Sequence, residues 1–576
     1  VKGNFVWAAA ILFFMTSCSS VPGSPGYKKS RYATAPFSSE VDFSKEARRG
    51  ICEVPKAREF FDEGSASLQR LAKDDQESAL ESFQECLKIE PGCVSCLYES
   101  GWANWNLGVW PEVIKDWEKV LKVQPLHPGA LHYLALAKQR DEEAQVRKKP
   151  PIQRVAIGTH SYPEAAPIQF DLEARFQSYY GKPAQSGDQY DEQIDSPKSA
   201  RFDANGERVF VNSLEANKTL IYDANQFTKL GSVSHEFTAK DAGLFHEKNP
   251  PFGYEFDEGL THGHPDIFTG KPVESELTHD GKYLWVPYYR RDYDGKGTNP
   301  SAVAIIDTST NQIVRVMATG PISKYVLASP DGKFMAVSHW GDNTLLLIDI
   351  RKPDPADFKY VSHIVIDEVL ALDTLKGVNR DKECGLCLRG LAYSKDSRFL
   401  FVARMGKKGG VAVIDLQAHG EPKYLGSFSG MPLKPRDILV SPDGRWLYIS
   451  STLAGYVSRI PVATVVESFT QPTKVPGALP PLLRPLKGFE KAFVGQGPRS
   501  IRLTPDGKYL FASVYGMSRV VAVETDRMKV VAAMAADPFP VGMAMSPKGD
   551  QLWITCQSHQ GIGGNAVDVL KIRYAK

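Results

Sequence analysis

From residue 152 to the end of the chain, apolar and polar residues alternate in short runs separated by turn residues. The stretch SAVAIIDTSTNQIVRVMATGPISKYVLASPDGKFMAVSHWGDNTLLLIDI (301–350) reads as four strands joined by three turns. One turn recurs seven times, at Asn205-Gly206, Asp280-Gly281, Asp331-Gly332, Asp396-Ser397, Asp443-Gly444, Asp506-Gly507 and Lys548-Gly549. Asp-Gly and Asn-Gly suit a tight hairpin because glycine accepts positive φ. Successive turns lie 42 to 75 residues apart. The shortest spacing fits a bare four-stranded unit, and the excess marks insertions. After the last turn only QLWITCQ and AVDVLKIR remain, so the seventh unit is one strand short. The segment IQRVAIG (152–158) is predicted to supply that unit's outer strand, so that the chain's two ends join and leave no open edge.

Upstream, over 57–145, the period becomes helical. Pro91 and Pro125 stand 34 residues apart, and ALESFQECLKIEPG (79–92) matches VIKDWEKVLKVQPL (113–126). Ala79, Phe83 and Cys86 correspond to Val113, Trp117 and Val120. Small residues Ser100 and Gly101 follow Leu97 and allow close helix approach, and Leu131, Leu134 and Ala135 begin a further helix. The period and spacing resemble two and a half tetratricopeptide repeats, with a lengthened turn (LAKDDQES) in the first. Such repeats imply either docking of a protein or peptide partner or a helical spacer.

The Ser-Pro-Asp-Gly turn between strands, with a later strand ending in Ile-Asp, resembles the YVTN-type β-propeller repeat. That resemblance covers 152–576 and implies an all-β seven-bladed propeller after an all-α helical repeat. The chain opens VKGNFVWAAAILFFMTSCSS. Lys2, the apolar run Phe5–Phe14 and Thr16-Ser17-Cys18 resemble a bacterial lipoprotein signal over 1–18, with Met15 where Leu is usual. The resemblance implies lipidation of Cys18 and attachment to a cell-envelope membrane. Ser19 after the cysteine implies the outer membrane. Residues 19–56 lack periodicity and read as a tether.

Charge alters the picture in one place. Across the chain, 69 Lys and Arg nearly balance 67 Asp and Glu, which excludes a chain-wide polybasic nucleic-acid binder. With the innermost strands aligned on their turns, one register holds Lys198, Val273, Lys324, Arg389, Arg436, Arg499 and Val541. The five basic members are predicted to converge at the mouth of the central channel, with Glu274 and Asp437 beside them. There they either bind an anionic ligand through bidentate pairing or hold neighbouring carboxylates. The insertion 235–266 carries His235, His246, His262 and His264 with Asp257, Glu258 and Asp266. His-Gly-His with carboxylates could ligate a divalent metal, but the spacing matches no strong motif, and a solvated loop with incidental histidines is the favoured reading. Tyr288-Tyr-Arg-Arg-Asp-Tyr293 is predicted in a loop on the same face, able to stack on sugars, bases or peptides.

Cys52, Cys86, Cys93 and Cys96 fall in or beside the helical region, and Cys556 falls in a strand. Cys384 and Cys387 (CGLC) are expected to form a local disulfide; a redox thiol pair is the alternative. Neither CxxC is followed by His, which disfavours haem attachment, and zinc through the two CxxC pairs would require the two domains to bring them together, which the sequence does not show. No nucleophile elbow, phosphate loop or zinc-protease motif appears, and no cofactor or metal is expected. The expectation is a non-enzymatic envelope lipoprotein acting as a binding or scaffold module. Two alternatives remain: a lactonase-type propeller hydrolase, and sequence-independent binding of single-stranded nucleic acid.

Overall fold

A computed structural model describes residues 52–69, 73–148, 154–183, 186–245, 267–370, 378–406, 409–417, 421–471, 483–558 and 563–575. The chain divides into two units, Val1–Pro151 and Ile152–Lys576. Cys18 and the tether over 19–51 lie outside the described residues, as do His246, His262 and His264. Among the described residues no helix is long and apolar enough to cross a membrane.

The first unit consists of helices α1 (Pro55–Leu68), α2 (Lys73–Ile89), α3 (Val94–Leu107), α4 (Trp110–Val123) and α5 (Pro128–Lys148). Each packs on the next in chain order. The predicted apolar faces are the buried ones: Ala79, Phe83 and Cys86 on α2, and Val113, Trp117 and Val120 on α4. Asp74 and Asp75 begin α2 and Lys88 ends it, complementing the helix dipole. Helix α3 stops at Gly108, whose φ of 74° provides a left-handed cap. The α3–α4 contact requires a glycine. A Cβ on Gly101 would lie 2.2 Å from Trp117 Nε1, and that nitrogen donates to the Tyr98 carbonyl at 3.1 Å.

The second unit is a ring of seven sheets built on antiparallel pairs, the blades of a β-propeller; Asp188–Tyr190 and Leu483–Pro485 add parallel edge strands to two of them. All seven predicted turns join an innermost strand to the next strand. Six place their glycine at positive φ, and Ser397 takes φ 61° in the seventh. The Ser-Pro-Asp-Gly pattern has a local cause. The hydroxyls of Ser329, Ser441 and Thr504 donate to Asp331, Asp443 and Asp506 at 2.5 to 2.7 Å. The same hydroxyls accept backbone N–H groups of Phe334, Trp446 and Tyr509, which locks the turn. Helix α6 (Val462–Thr470) is inserted after the third strand of blade five.

The ring does close by pairing a strand from the start of this unit with the chain's last strand, but the segment is not 152–158. The outer strand of blade seven is Ile168–Gln177, antiparallel to Ala566–Tyr574. Residues 157–162 instead cross its flank, tied by Gly158 N–H to Leu172 O and by isolated bridges at His160 and Tyr162. The sequence IQFDLEARFQ alternates better than IQRVAIG, and its inward Ile168, Phe170 and Leu172 are fully buried. A buried charge cluster seals the join. Arg175 Nη1 lies 3.2 Å from Asp537 Oδ1, and Asp537 N–H donates to Asp568 Oδ2 at 2.9 Å. Burial and the adjacent Asp537 push the Asp568 carboxyl up to about 7.

Candidate functional site: a basic ring at one end of the propeller channel

Each of the five predicted cations sits at an irregularity in its innermost strand. Pairing passes from Pro197↔Ser213 to Ser199↔Asn212, leaving Lys198 as the extra residue. Lys324 is skipped in the same way. Arg389 with Gly390, Arg436 with Asp437, and Arg499 with Ser500 each oppose a single residue of the second strand. Val541 occupies the bulge in blade seven, and Val273 falls in the break of blade two's inner strand. A bulge bends the strand and turns the extra side chain out of the ordinary alternation.

Two residues earlier the backbone is left-handed in six blades, at Ser196, Ile322, Cys387, Lys434, Gly497 and Phe539. Ile322 is the extreme case, a fully buried β-branched residue at φ 54°. Strained geometry of this kind concentrates at binding sites.

The bulges bring the five cations together. Burial lowers the Lys198 amine well below the usual lysine value, and Arg499, Arg389, Lys324 and Arg436 lower it further. Residues of five blades meet in this way only around the central axis. Burial likewise lowers Lys324 and Arg436, and brings Arg499 down to about 10.

Their partners are unequal. Arg389 pairs with buried Glu274 at 3.3 Å, and Lys324 lies 3.8 Å from Asp381. Lys198 Nζ donates to Gln557 Oε1 at 3.0 Å. Arg436 Nη1 donates to Met405 Sδ at 3.9 Å. Arg499 lies 3.6 Å over the Tyr515 ring, and its buried Nε has no partner among the described residues. Among those residues no carboxylate comes within ion-pair distance of Lys198, Arg436 or Arg499. Asp437 makes no ion pair with the ring: its Oδ2 accepts from Ile501 N–H and from Arg502 Nη1, at 3.0 and 3.1 Å, and its charge acts on Arg436 only from a distance, opposing the effect of burial.

Sequence reasoning overlooked a second register. Nine residues after each turn position stand Leu214, Tyr289, Trp340, Met405, Thr452, Tyr515 and Gln557. Five of these touch the cations, and Lys324 alone lies over both Tyr289 (3.8 Å) and Trp340 (5.1 Å). Aligning the ends of the second strands as well as the inner ones would have found them.

Other expectations need correction. Tyr288–Arg291 belong to a strand, not a loop. Tyr288 is fully buried and Arg291 nearly so, which leaves Tyr289 as the member that reaches the ring. His235 is not solvated: it is fully buried, hydrogen-bonded to Thr219 Oγ1 at 2.8 Å and to Tyr288 Oη at 2.9 Å. Burial lowers its pKa to about 3, and the two hydrogen bonds give it a packing role. Cys384 and Cys387 form a disulfide, and Cys556 is a buried free thiol.

No protein-family model and no curated protein matches this chain. Among solved structures, the ring is similar to Kuenenia stuttgartiensis hydrazine synthase (16% identity, TM-score 0.44, covering 66% of this chain and 96% of that one). It is also similar to the β-propeller domain of Myceliophthora thermophila Cps50 (Swd1), at 13% identity and TM-score 0.43, covering 66% and 96%. A functionally unknown protein from Desulfotomaculum acetoxidans matches at 11% identity and TM-score 0.40, covering 66% and 100%. Likenesses this distant carry no argument about function.

Proposed function

We propose that this protein is a non-enzymatic binding module of the bacterial cell envelope whose channel mouth captures an anionic ligand. The observation that carries this reading is the surplus of positive charge. Five cations sit at one register, and three of them, Lys198, Arg436 and Arg499, have no carboxylate partner among the described residues. Like charges held this close cost stability unless an anion compensates. A phosphate or carboxylate placed among them gains charge-assisted hydrogen bonds from guanidinium groups already fixed by packing. The lactonase alternative is less well supported, because the carboxylates beside the ring, Glu274 and Asp381, are each held by a cation.

The remainder of the reading follows the sequence. Lipid on Cys18 anchors the chain to the outer membrane, and the helices act as tetratricopeptide-like units that dock a protein or peptide partner. Calorimetric titration with inorganic phosphate tests the site. Arg436→Met with Arg499→Met should weaken binding at least tenfold, and rising chloride should weaken it in the wild type. Equal phosphate affinity in both proteins overturns the reading. Binding of a fluorescent oligothymidylate that survives both substitutions overturns it in favour of a nucleic-acid surface elsewhere.

A further inference from the structure

The helical unit gathers four cysteines from three places. Cys52 precedes α1, Cys86 lies in the last turns of α2, and Cys93 and Cys96 open α3. Their sulfurs all lie within 4.8 Å of one another, and all four side chains are buried. Disulfides join Cys52 to Cys93 and Cys86 to Cys96. The two bridges lie against each other, with Cys52 Sγ 3.7 Å from Cys96 Sγ.

We infer that, once reduced, Cys52, Cys86, Cys93 and Cys96 form a tetrathiolate site for a zinc ion. Cys93-x-x-Cys96 supplies the two ligands that a single turn can present, and Cys86 and Cys52 complete four. A zinc–thiolate tetrahedron with bonds of about 2.3 Å has sulfur–sulfur edges of about 3.8 Å. The four sulfurs already occupy a volume of that size, so side-chain rotation suffices to open the two bridges into a tetrahedron.

The surroundings favour thiolate. Cys93 is the N-cap of α3, and its sulfur accepts the Cys96 N–H at 3.5 Å. The positive end of this 14-residue helix therefore faces the sulfurs. Beside Cys52 the charges balance: Arg58 Nη2 donates to the Cys52 carbonyl at 2.8 Å, and the Glu90 carboxylate accepts the Glu53 and Val54 N–H groups at 2.9 Å.

The chemistry balances. A phosphine and one water per disulfide give two thiols and a phosphine oxide. Four thiols then release four protons to bind one Zn²⁺. The oxidised and metal-bound forms exclude each other, so zinc content would report the redox state of the compartment.

The test uses the full chain, reduced with a phosphine under anaerobic conditions, given zinc and desalted. One zinc per chain is expected. Zinc should slow alkylation of Cys52, Cys86, Cys93 and Cys96 at least tenfold in a mass-spectrometric footprint, while Cys384 and Cys387 still react. Cobalt in place of zinc should give the visible bands of a tetrahedral thiolate site, lost in Cys96→Ser and kept in Cys384→Ser/Cys387→Ser. Retention of no metal by the reduced chain, with its helical circular dichroism intact, overturns the inference. So does equal alkylation of the four cysteines with and without zinc, or cobalt bands that vanish only in the Cys384/Cys387 variant. The footprint is read on the wild-type chain, so it decides the matter even where Cys96→Ser fails to fold.

Discussion

Arg389→Met isolates the ion pair of the ring that, among the described residues, is buried on both sides. Arg389 and Glu274 are each only 7% exposed, and 3.3 Å separates Arg389 Nη2 from Glu274 Oε1. Removing the guanidinium leaves a buried carboxylate, and breaking such a pair costs about 3–5 kcal/mol. Relief of repulsion from the other four cations offsets part of this, so the range is a ceiling. With an unfolding entropy of about 2.1 cal/mol/K per residue over Ile152–Lys576, it corresponds to a fall in Tm of roughly 3–6 °C.

The loss should depend on pH, with a defined sign. Burial already raises the Glu274 pKa, against the opposing effects of Arg389 and Arg502. Without Arg389 it rises further. A carboxyl raised in the folded state gives stability that is complete below its unfolded value of about 4.3 and is lost as pH climbs through the folded value. The variant should therefore lie close to wild type near about pH 4, below the unfolded value, and fall behind it by about pH 8. Adding Glu274→Gln removes the stranded charge and should recover most of the loss, as a double-mutant cycle. Differential scanning calorimetry at the two pH values reads all of this. A deficit independent of pH, or no recovery in the double variant, would refute the pairing argument.

The clasp gives a parallel case. Asp568→Asn should flatten the decline of propeller stability as pH rises through about 7, because the buried carboxyl that must ionise beside Asp537 is gone; an unchanged thermal-melt pH profile contradicts the assignment. Truncation before Ile152 should leave the propeller's Tm nearly intact, whereas truncation before Ser178 removes the outer strand Ile168–Gln177, together with the Arg154 and Val155 contacts to buried Asp537, and should lower it sharply. Equal melting of the two truncations would mean that strand does not close the ring. Cys18→Ala should move the protein from the detergent to the aqueous phase on partition, and unchanged partition removes the lipid anchor.

Repeat number, blade boundaries and the register of the five cations were legible in the sequence, because each depends on local rules. A hairpin needs positive φ at one place, which leaves a Gly, or Ser397, at a fixed position in every blade. A half-buried strand must alternate, so aligning the turns also aligns Lys198, Lys324, Arg389, Arg436 and Arg499. The buried faces of α2 and α4 were legible for the same reason, through the 3.6-residue period.

What the sequence left open depends on distance in the chain. The choice of Ile168–Gln177 over 152–158 for the clasp is made by pairing with Ala566–Tyr574, nearly 400 residues away. Asp437 stood beside Arg436 in sequence, yet its carboxylate is taken by Arg502 of the next blade, leaving Arg436 without that partner. Asp381 and Gln557 reach the ring from other loops, and four cysteines scattered over 52–96 converge only because α1, α2 and α3 pack together. Alternation and turn chemistry act over a few residues and leave a readable period. The partner of a buried charge or a thiol is whichever group the folded backbone brings within a few ångströms, and no local pattern encodes that.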